Sequence, residues 1–394
     1  MFEKVQVAPI PPHSFNRNEF IRDKNSFRVT IRPLKFKLLL TCIDIFDDNK
    51  GNRICGKVLL MIFNVLWILI MTSKVLCFSV TSVDIFILDF TSKLLSYVIW
   101  WILYCRRSFI RDSLQRIHIL KRSIRPQNRH RFKIGLKTCI GLFLAIIFIY
   151  SIHGTIRFLT RKQRRRSGYS KFDRCRSLTV PLQSISGKAA VKFLSVFLNH
   201  YVDWNVQFSV VVLYCYCCYE LEKIICALSS KRQSLTPREF WEAYNQIRKC
   251  LKTLEERFSL LVFFFFARSF TEFFRVLTFL LNKMKVRLDV SVSVASGIFS
   301  TVILITFVVV VIRASNLLKC YKKLCLKMIS IPKETNGMDD DFETRRSWHL
   351  LMDDKSRISL TAWGTFHLTK NLCMTATATL VSYGIIVYQF HSWR

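Results

Sequence analysis

The stretch NLCMTATATLVSYGIIVYQF, residues 371–390, decides what kind of protein this is. Its 20 residues carry no formal charge, and about 20 residues of helix cross a hydrocarbon core of roughly 30 Å. Trp363 and Trp393 bracket it, where aromatic rings settle between lipid and water. Thr375, Thr379, Ser382, Ile386 and Gln389 step by four and three, so they share one helical face, with Tyr383, Val387 and Phe390 on the neighbouring one. Two arrangements use such a stripe. It can line a pore, with hydroxyls, an aliphatic constriction at Ile386 and an amide, or it can pack against other helices with small polar residues as interhelical bonds.

Working outward, the composition excludes a soluble domain. Hydrophobic residues make up 51% of the 394, including 34 Phe, and they fall in long blocks. Only 11 Gly and 8 Pro suit long helices with few tight turns. What the blocks leave over does not hold a separate catalytic domain. A net charge of +34 would in another setting point to nucleic acid, but here the basic residues lie between apolar blocks. There they act as topology determinants and contacts to anionic membrane lipids, and no nucleic-acid partner is expected. The 14 cysteines are scattered, many in or beside apolar blocks. Cys215, Cys217 and Cys218 have neither CxxC pairing nor a nearby His, so they read as packing or acylation sites, and no metal and no cofactor is implied. The N-terminal MFEKVQVAPIPPHSFNRNEF has no apolar core of signal-peptide type.

Hydropathy predicts an all-α integral membrane protein of seven spans, near 58–80, 83–105, 134–158, 189–219, 258–282, 288–315 and 364–390. The first two form a hairpin with a very short turn. With the N-terminus inside, the inner segments hold 38 Lys and Arg and the outer ones 13, so the positive-inside bias places the N-terminus in the cytoplasm and the C-terminus outside. One outer loop runs against the bias, because it carries Arg161, Lys162, Arg164, Arg165 and Arg166. The chain then divides into a cytoplasmic segment at 1–57, a six-helix bundle with cytoplasmic helical extensions at 58–315, a cytoplasmic loop with anchor helices at 316–363, and a seventh helix with a short outer tail at 364–394. EFWEAYNQIRKCLKTLEERF (239–258) and DFETRRSWHLLMDDKSRISL (341–360) mix charge and apolar residues at helical spacing, as inward extensions of spans five and seven would.

Ionisable residues inside spans are costly and mark sites or pairs. Span two contains Asp84, Asp89 and Lys93. Span three carries Tyr150 and His153, and span four has His200, Tyr201, Asp203 and Trp204. Span five has Arg268, Glu272 and Arg275, and span six opens with Asp289, Ser291, Ser293 and Ser296. Asp89–Lys93 and Arg268–Glu272–Arg275 have the spacing of same-face ion pairs. Together these residues place rings, hydroxyls and charges in the outer and middle thirds of spans two to six. A pocket for a small polar organic molecule would sit there, with Asp89, Tyr150, His153, His200, Tyr201, Trp204, Glu272 and Ser293 as candidate lining.

SYGIIVYQF (382–390) resembles the C-terminal signature of insect gustatory receptors, in which Thr-Tyr and five apolar residues precede Gln-Phe. Ser382 stands in place of the Thr, while Tyr383, Gln389 and Phe390 match. AWGTFHLTKNL (362–372) is similar to the family's small-Gly-x-Phe run through Gly364 and Phe366. The resemblance covers about 30 residues. It implies a ligand-gated, non-selective cation channel of the plasma membrane of sensory neurons. Such a channel is a homotetramer or a hetero-oligomer with related receptors, and a tastant (a bitter or sugar-like molecule) opens it from an outward-facing pocket. It also implies that the seventh helix lines the pore with Gln389 facing it. Tyr383 and Phe390 would pack between pore helices, and the inner ends of spans four to seven would join the subunits. Insect odorant receptors share this topology and pore and remain an alternative.

A G-protein-coupled receptor would need the opposite orientation, an Asp/Glu-Arg-Tyr triplet after span three and Asn-Pro-x-x-Tyr in span seven. Here span three ends GTIRFL and span seven has no Pro. An enzyme is not expected, because His118, His130, His349 and His367 are isolated in the sequence. Antibody access to terminal tags on intact cells tests the topology: a tag after Arg394 should be reached and one before Met1 should not. The reverse pattern would sink the seven-span, N-in reading.

Overall fold

Three helices are far longer than a bilayer requires, and their excess length builds a second layer. The computed structural model describes residues 50–76, 83–124, 185–231, 235–283, 290–329 and 359–392, with parts of 141–156. In chain order they form α1 (Lys50–Leu76), α2 (Val83–Cys105), α3 (Arg107–Ile124), α4 (Ile185–Ser230), α5 (Pro237–Lys283) and α6 (Val290–Ile329). A ribbon of β1 (Thr361–Ala362) and β2 (Phe366–His367) follows, then α7 (Lys370–Ser392). The N-terminal segment, Tyr150, His153, the loop with Arg161–Arg166, Asp289, the stretch 330–358 and Trp393 lie outside the described residues, as do the side chains of Ser293 and Phe390. Among the described residues, Phe86–Cys105 and Ser300–Lys327 are long and apolar enough to cross a membrane, and Leu60–Thr72 is a shorter apolar helix.

At 46 and 47 residues, α4 and α5 are each about 70 Å long. Part of that length is apolar and lies in an apolar layer of the bundle, and the rest continues as charged helix. α4 is the central element. From Val202 to Cys218 nearly every side chain is buried, because the run VVVLYCYCC is apolar on all sides and other helices surround it. α6 packs along α4, and α2 packs along α5. Cys215, Cys217 and Cys218 are buried in this core, as packing rather than ligands. Phe63 and Trp67 of α1 meet Trp100 and Tyr97 of α2 with ring centroids 5.0 and 5.6 Å apart.

The polar tier is built from the charged ends of α4, α5 and α6 together with α3. Hydropathy passes over α3, because RSFIRDSLQRIHILKRSI is too charged for a span. Its apolar residues nonetheless recur at three and four. Ile110, Leu114, Ile117, Leu120 and Ile124 are all buried against α4 and α5. The ends of α3 are tied down by cations on exposed carbonyls. Arg257 donates from Nη1 to the Phe109 carbonyl at 2.7 Å, Arg106 donates to the Arg257 carbonyl at 2.8 Å, and Lys231 Nζ donates to the Ile124 carbonyl at 2.7 Å. Within the tier, Lys121 pairs with Glu220 at 2.8 Å. The Tyr244 and Tyr321 hydroxyls join α5 to α6 at 2.8 Å.

Sequence reading begins the last helix at Gly364, whereas α7 begins at Lys370. Residues 361–367 form a tight ribbon in which Ala362 pairs with Phe366. The Thr365 N–H donates to the Ala362 carbonyl at 3.0 Å. Both central residues of that turn have positive φ, 52° at Trp363 and 69° at Gly364, the sign of a type I′ turn. Glycine adopts this freely. For Trp363 it costs about 1–2 kcal/mol, and contacts to α5 hold it there. The Trp363 and Phe366 rings flank Phe263 at 5.3 and 6.1 Å. The Glu255 carboxylate accepts from the Thr361 N–H at 2.9 Å and from its hydroxyl. Burial raises the Glu255 carboxyl above the usual range, and the Thr361 hydrogen bonds oppose that.

α5 starts with a reciprocal cap. The Thr236 hydroxyl accepts from the Glu239 N–H at 3.3 Å, and Glu239 Oε2 accepts from the Thr236 N–H at 3.0 Å, with Pro237 in the first helical position, which lacks an intrahelical N–H partner anyway. Thr236→Ala should destabilise this first turn by about 1 kcal/mol. Amide hydrogen exchange would read this as faster exchange confined to the first turn of α5. Unchanged protection there would contradict the cap.

Candidate functional site

The apolar layer contains one dense polar assembly, where α2, α4 and α5 meet. Asp203 of α4 is its hub. Its Oδ2 lies 2.6 Å from Lys93 Nζ on α2 and 2.8 Å from Arg268 Nη2 on α5. The Ser96 hydroxyl donates to Oδ1, and Arg268 donates to Ser96 and to the Gln207 amide oxygen. Glu272, one turn along α5 from Arg268, accepts from the Ser92 hydroxyl and pairs with Arg275 at 2.6 Å. Ser92, Lys93, Ser96, Asp203, Gln207, Arg268 and Glu272 are all buried, whereas the Arg275 side chain is 32% exposed. Desolvating such charges costs several kcal/mol per ion unless each is paired and hydrogen-bonded; here Asp203, Arg268 and Glu272 each have several partners, and Lys93 has Asp203.

The sequence-predicted pocket residues separate into distinct surroundings. Glu272 belongs to the charge network. Trp204 is buried with Ile147 and Ile303 in a small second apolar cluster, against which Tyr201, Phe197 and Phe273 pack. Tyr201 stacks on Phe197 at 5.5 Å. His200 and Asp89 are half-buried on α4 and α2. Of the expected pairs, Glu272–Arg275 is present, Arg268–Glu272 is at 3.9 Å, and Lys93 reaches across to Asp203. The network's interhelical character was missed. The signal was available, since α2, α4 and α5 each carry a polar pair one turn apart in an apolar run: Ser92 and Ser96, Asp203 and Gln207, Arg268 and Glu272.

α7 rests on the bundle along one edge. Ala376 is buried, and Leu372 and Cys373 are partly buried against the main core. The Tyr383 ring sits 4.4 Å from that of Phe274. A Cβ at Gly384 would stand 3.4 Å from Leu277 of α5. The remaining surface is open: Thr375, Thr379, Ser382, Ile386 and Gln389 are all exposed. Thr375 and Thr379 donate their hydroxyl protons to the carbonyls of Asn371 and Thr375 at 3.1 and 2.9 Å. Their oxygen lone pairs therefore point outward, so the face offers acceptors. That suits hydrated cations better than anions.

No family model matches this sequence, and no curated protein matches it. Solved structures do. The chain is similar to the insect olfactory receptor OR5 from Machilis hrabei in complex with eugenol, with a TM-score of 0.64 at 13% identity, over 93% of this chain and 100% of that one. A second structure of the same receptor gives a TM-score of 0.64 at 11% identity over the same shares. The chain thus has the helical fold of an insect olfactory receptor.

Removing the hub should be the most damaging single change in the apolar layer. Asp203→Ala leaves Lys93 and Arg268 without the carboxylate they share and should cost about 3–5 kcal/mol. Thermal ramps of detergent-solubilised protein followed by size-exclusion would show early loss of the monodisperse peak. Arg275→Ala, at the solvated rim, should cost clearly less. Equal behaviour of the two variants would refute the hub assignment.

Proposed function

We propose that this protein is a subunit of a ligand-gated cation channel of the insect chemoreceptor type, in which α7 lines a pore shared between subunits. One observation carries this reading. In a chain with the olfactory-receptor fold, the stripe Thr375, Thr379, Ser382, Ile386 and Gln389 is turned away from its own bundle. A helix without formal charge from 371 to 390 and with an exposed row of outward oxygens is suited by water or other copies of itself on that side. Copies of α7 around an axis satisfy both. Ile386 would then form an aliphatic ring that excludes water when narrow and conducts when widened, and Gln389 a ring of amide dipoles one turn further out. A tetramer, or a hetero-oligomer with related receptors, follows from the resemblance of SYGIIVYQF to the gustatory signature. A cytoplasmic N-terminus and a plasma-membrane location follow from the charge bias and the seven expected spans, and the polar tier is then the cytoplasmic layer joining subunits.

The ligand is a small organic molecule taken into the outer part of the bundle, where Tyr201 and Trp204 supply rings and His200, Asp89 and Glu272 supply polarity. Tyr150, His153 and Ser293 remain proposed lining on the sequence argument alone. Binding that is tighter to the open state shifts the closed–open equilibrium by that difference in affinity. Two ligand classes have support. The Tyr383–Gln389–Phe390 spacing favours a tastant, and the solved neighbours, one of them holding eugenol, favour an odorant-type molecule. Neither reading assigns enzymatic chemistry to the chain.

Recordings from lipid bilayers or oocytes test the pore. Ile386→Ala should raise ligand-independent current several-fold, and Gln389→Ala should change relative permeability among monovalent cations while leaving surface expression intact. If both variants express normally and leave basal current and permeability unaltered, α7 does not line the pathway.

A further inference from the structure

The apolar α2 ends at Cys105, and after Arg106 the chain continues as the charged α3. One row of side chains crosses this change. Trp101, Tyr104, Arg107 and Arg111 follow at spacings of three, three and four, which is one face of a continuous helix. The backbone stays helical through the junction. The Arg106 N–H donates to the Ile102 carbonyl and the Ile110 N–H to the Arg106 carbonyl, both at 2.9 Å. The Trp101 and Tyr104 rings lie 6.1 Å apart, and the Arg107 guanidinium carbon stands 4.5 Å from the centre of the Tyr104 ring. Arg106 and Arg257 are engaged with backbone carbonyls, whereas among the described residues Arg107 meets a ring and no carboxylate. A ring against the flat side of a guanidinium uses none of its N–H groups, which radiate in the plane. Arg107 and Trp101 are both exposed. Asp112, the one acid of α3, follows Arg111 directly and so stands about 100° further round the helix.

We propose that Arg107 and Arg111 hold the phosphomonoester of an inner-leaflet phospholipid, with Trp101 and Tyr104 seated at the boundary between its headgroup and its acyl chains. The depth fits. Indole and phenol rings settle where hydrocarbon meets headgroups, and basic residues just cytoplasmic of a span face lipid phosphates. The chemistry fits as well. Forked guanidiniums take phosphate oxygens in pairs, and two of them balance the charge of about −2 on a phosphomonoester, where a phosphodiester carries a single negative charge. α5 packs along both α2 and α3, so a lipid fixed at this junction steadies the join between the apolar layer and the polar tier. The inference rests on α2 being a span whose α3 end lies in the cytoplasm, which the terminal tags test separately. It does not depend on α7 lining a pore.

Full-length, detergent-solubilised protein titrated with dioctanoyl phosphatidylinositol 4-phosphate tests it, with the thermal midpoint as readout. The expected result is a saturable rise. Dioctanoyl phosphatidylinositol, which lacks the monoester, and free inositol 1,4-bisphosphate, which lacks the chains, should not produce it. Arg107→Gln with Arg111→Gln should weaken the apparent affinity at least about tenfold, and Arg107→Lys, which keeps the charge and loses the fork, should weaken it less. Lys322→Gln with Lys323→Gln, two exposed lysines of α6, should leave it unchanged. The midpoint without lipid shows whether each variant is folded, and should the arginine pair fail there, Arg107→Lys against the lysine pair decides. An equal response to phosphatidylinositol, a response to the free bisphosphate, or equal weakening by the arginine and lysine pairs would overturn the proposal. So would a changed oligomeric state of the arginine variant with no lipid response in the wild type, which would make this face a contact between copies.

Discussion

The carboxylate of Asp203, shared by Lys93 and Arg268, is the constraint to which the apolar layer conforms. A single buried ion on one helix would be expelled or neutralised. Three helices that each bring part of a paired set can bury it only in one mutual register, because a shift by one residue on any helix moves a partner by about 100° around its axis. The network therefore adds uniqueness more than raw stability. Apolar packing of the same volume could be equally stable, but it would accept sliding. The long α4 and α5 carry that register onward into the polar tier, where tyrosines and arginine-to-carbonyl bonds continue the connection between helices.

α7 is held differently. Its contacts are apolar and confined to one edge, and its polar stripe faces away. The bundle is thus tied by charges that cross between helices, whereas the last helix leans on it through apolar contacts. This division suits the proposed channel, in which a ligand-binding part would keep its shape while another element changes position.

Much of this was legible in the sequence, for physical reasons. α2 has the bounds that hydropathy predicts, 83–105, since a continuous apolar run leaves little choice. That Thr375, Thr379, Ser382, Ile386 and Gln389 share one face followed from period alone, whereas their exposure did not, because a packed helix would carry the same stripe. The helical extension of span five appears as the unbroken α5, because EFWEAYNQIRKCLKTLEERF keeps helical spacing through its charges. Other features were hidden. α3 escapes a hydropathy reading, as its apolar stripe is narrow and its charges dominate the average. Residues 364–367 of the ribbon read as helix from the sequence, because Gly364 marks a turn only when the positive φ of Trp363 is known. Lys93 was assigned to Asp89 by spacing along one helix, and a sequence cannot show that a neighbouring helix brings Asp203 to it. Tyr201, Trp204 and Glu272 were singled out for their chemistry, but the sequence could not separate an aromatic cluster from an ionic one.

The grip of α5 on α7 has a kinematic consequence. α5 is one rod, and it meets the last helix and its lead-in at two heights: Glu255 and Phe263 hold the ribbon, while Phe274 and Leu277 hold Tyr383 and Gly384. A rod fastened at both heights cannot slide along its neighbour, and tilting it would break one fastening. Rolling about its own long axis strains both contacts least. In the proposed channel such a roll would exchange which face looks toward the pore axis, the hydroxyl-bearing face or the adjoining aliphatic one with Val381 and Ile385. The two faces lie about 100° apart around the helix, so a roll of that order would turn a wet lining into a dry one.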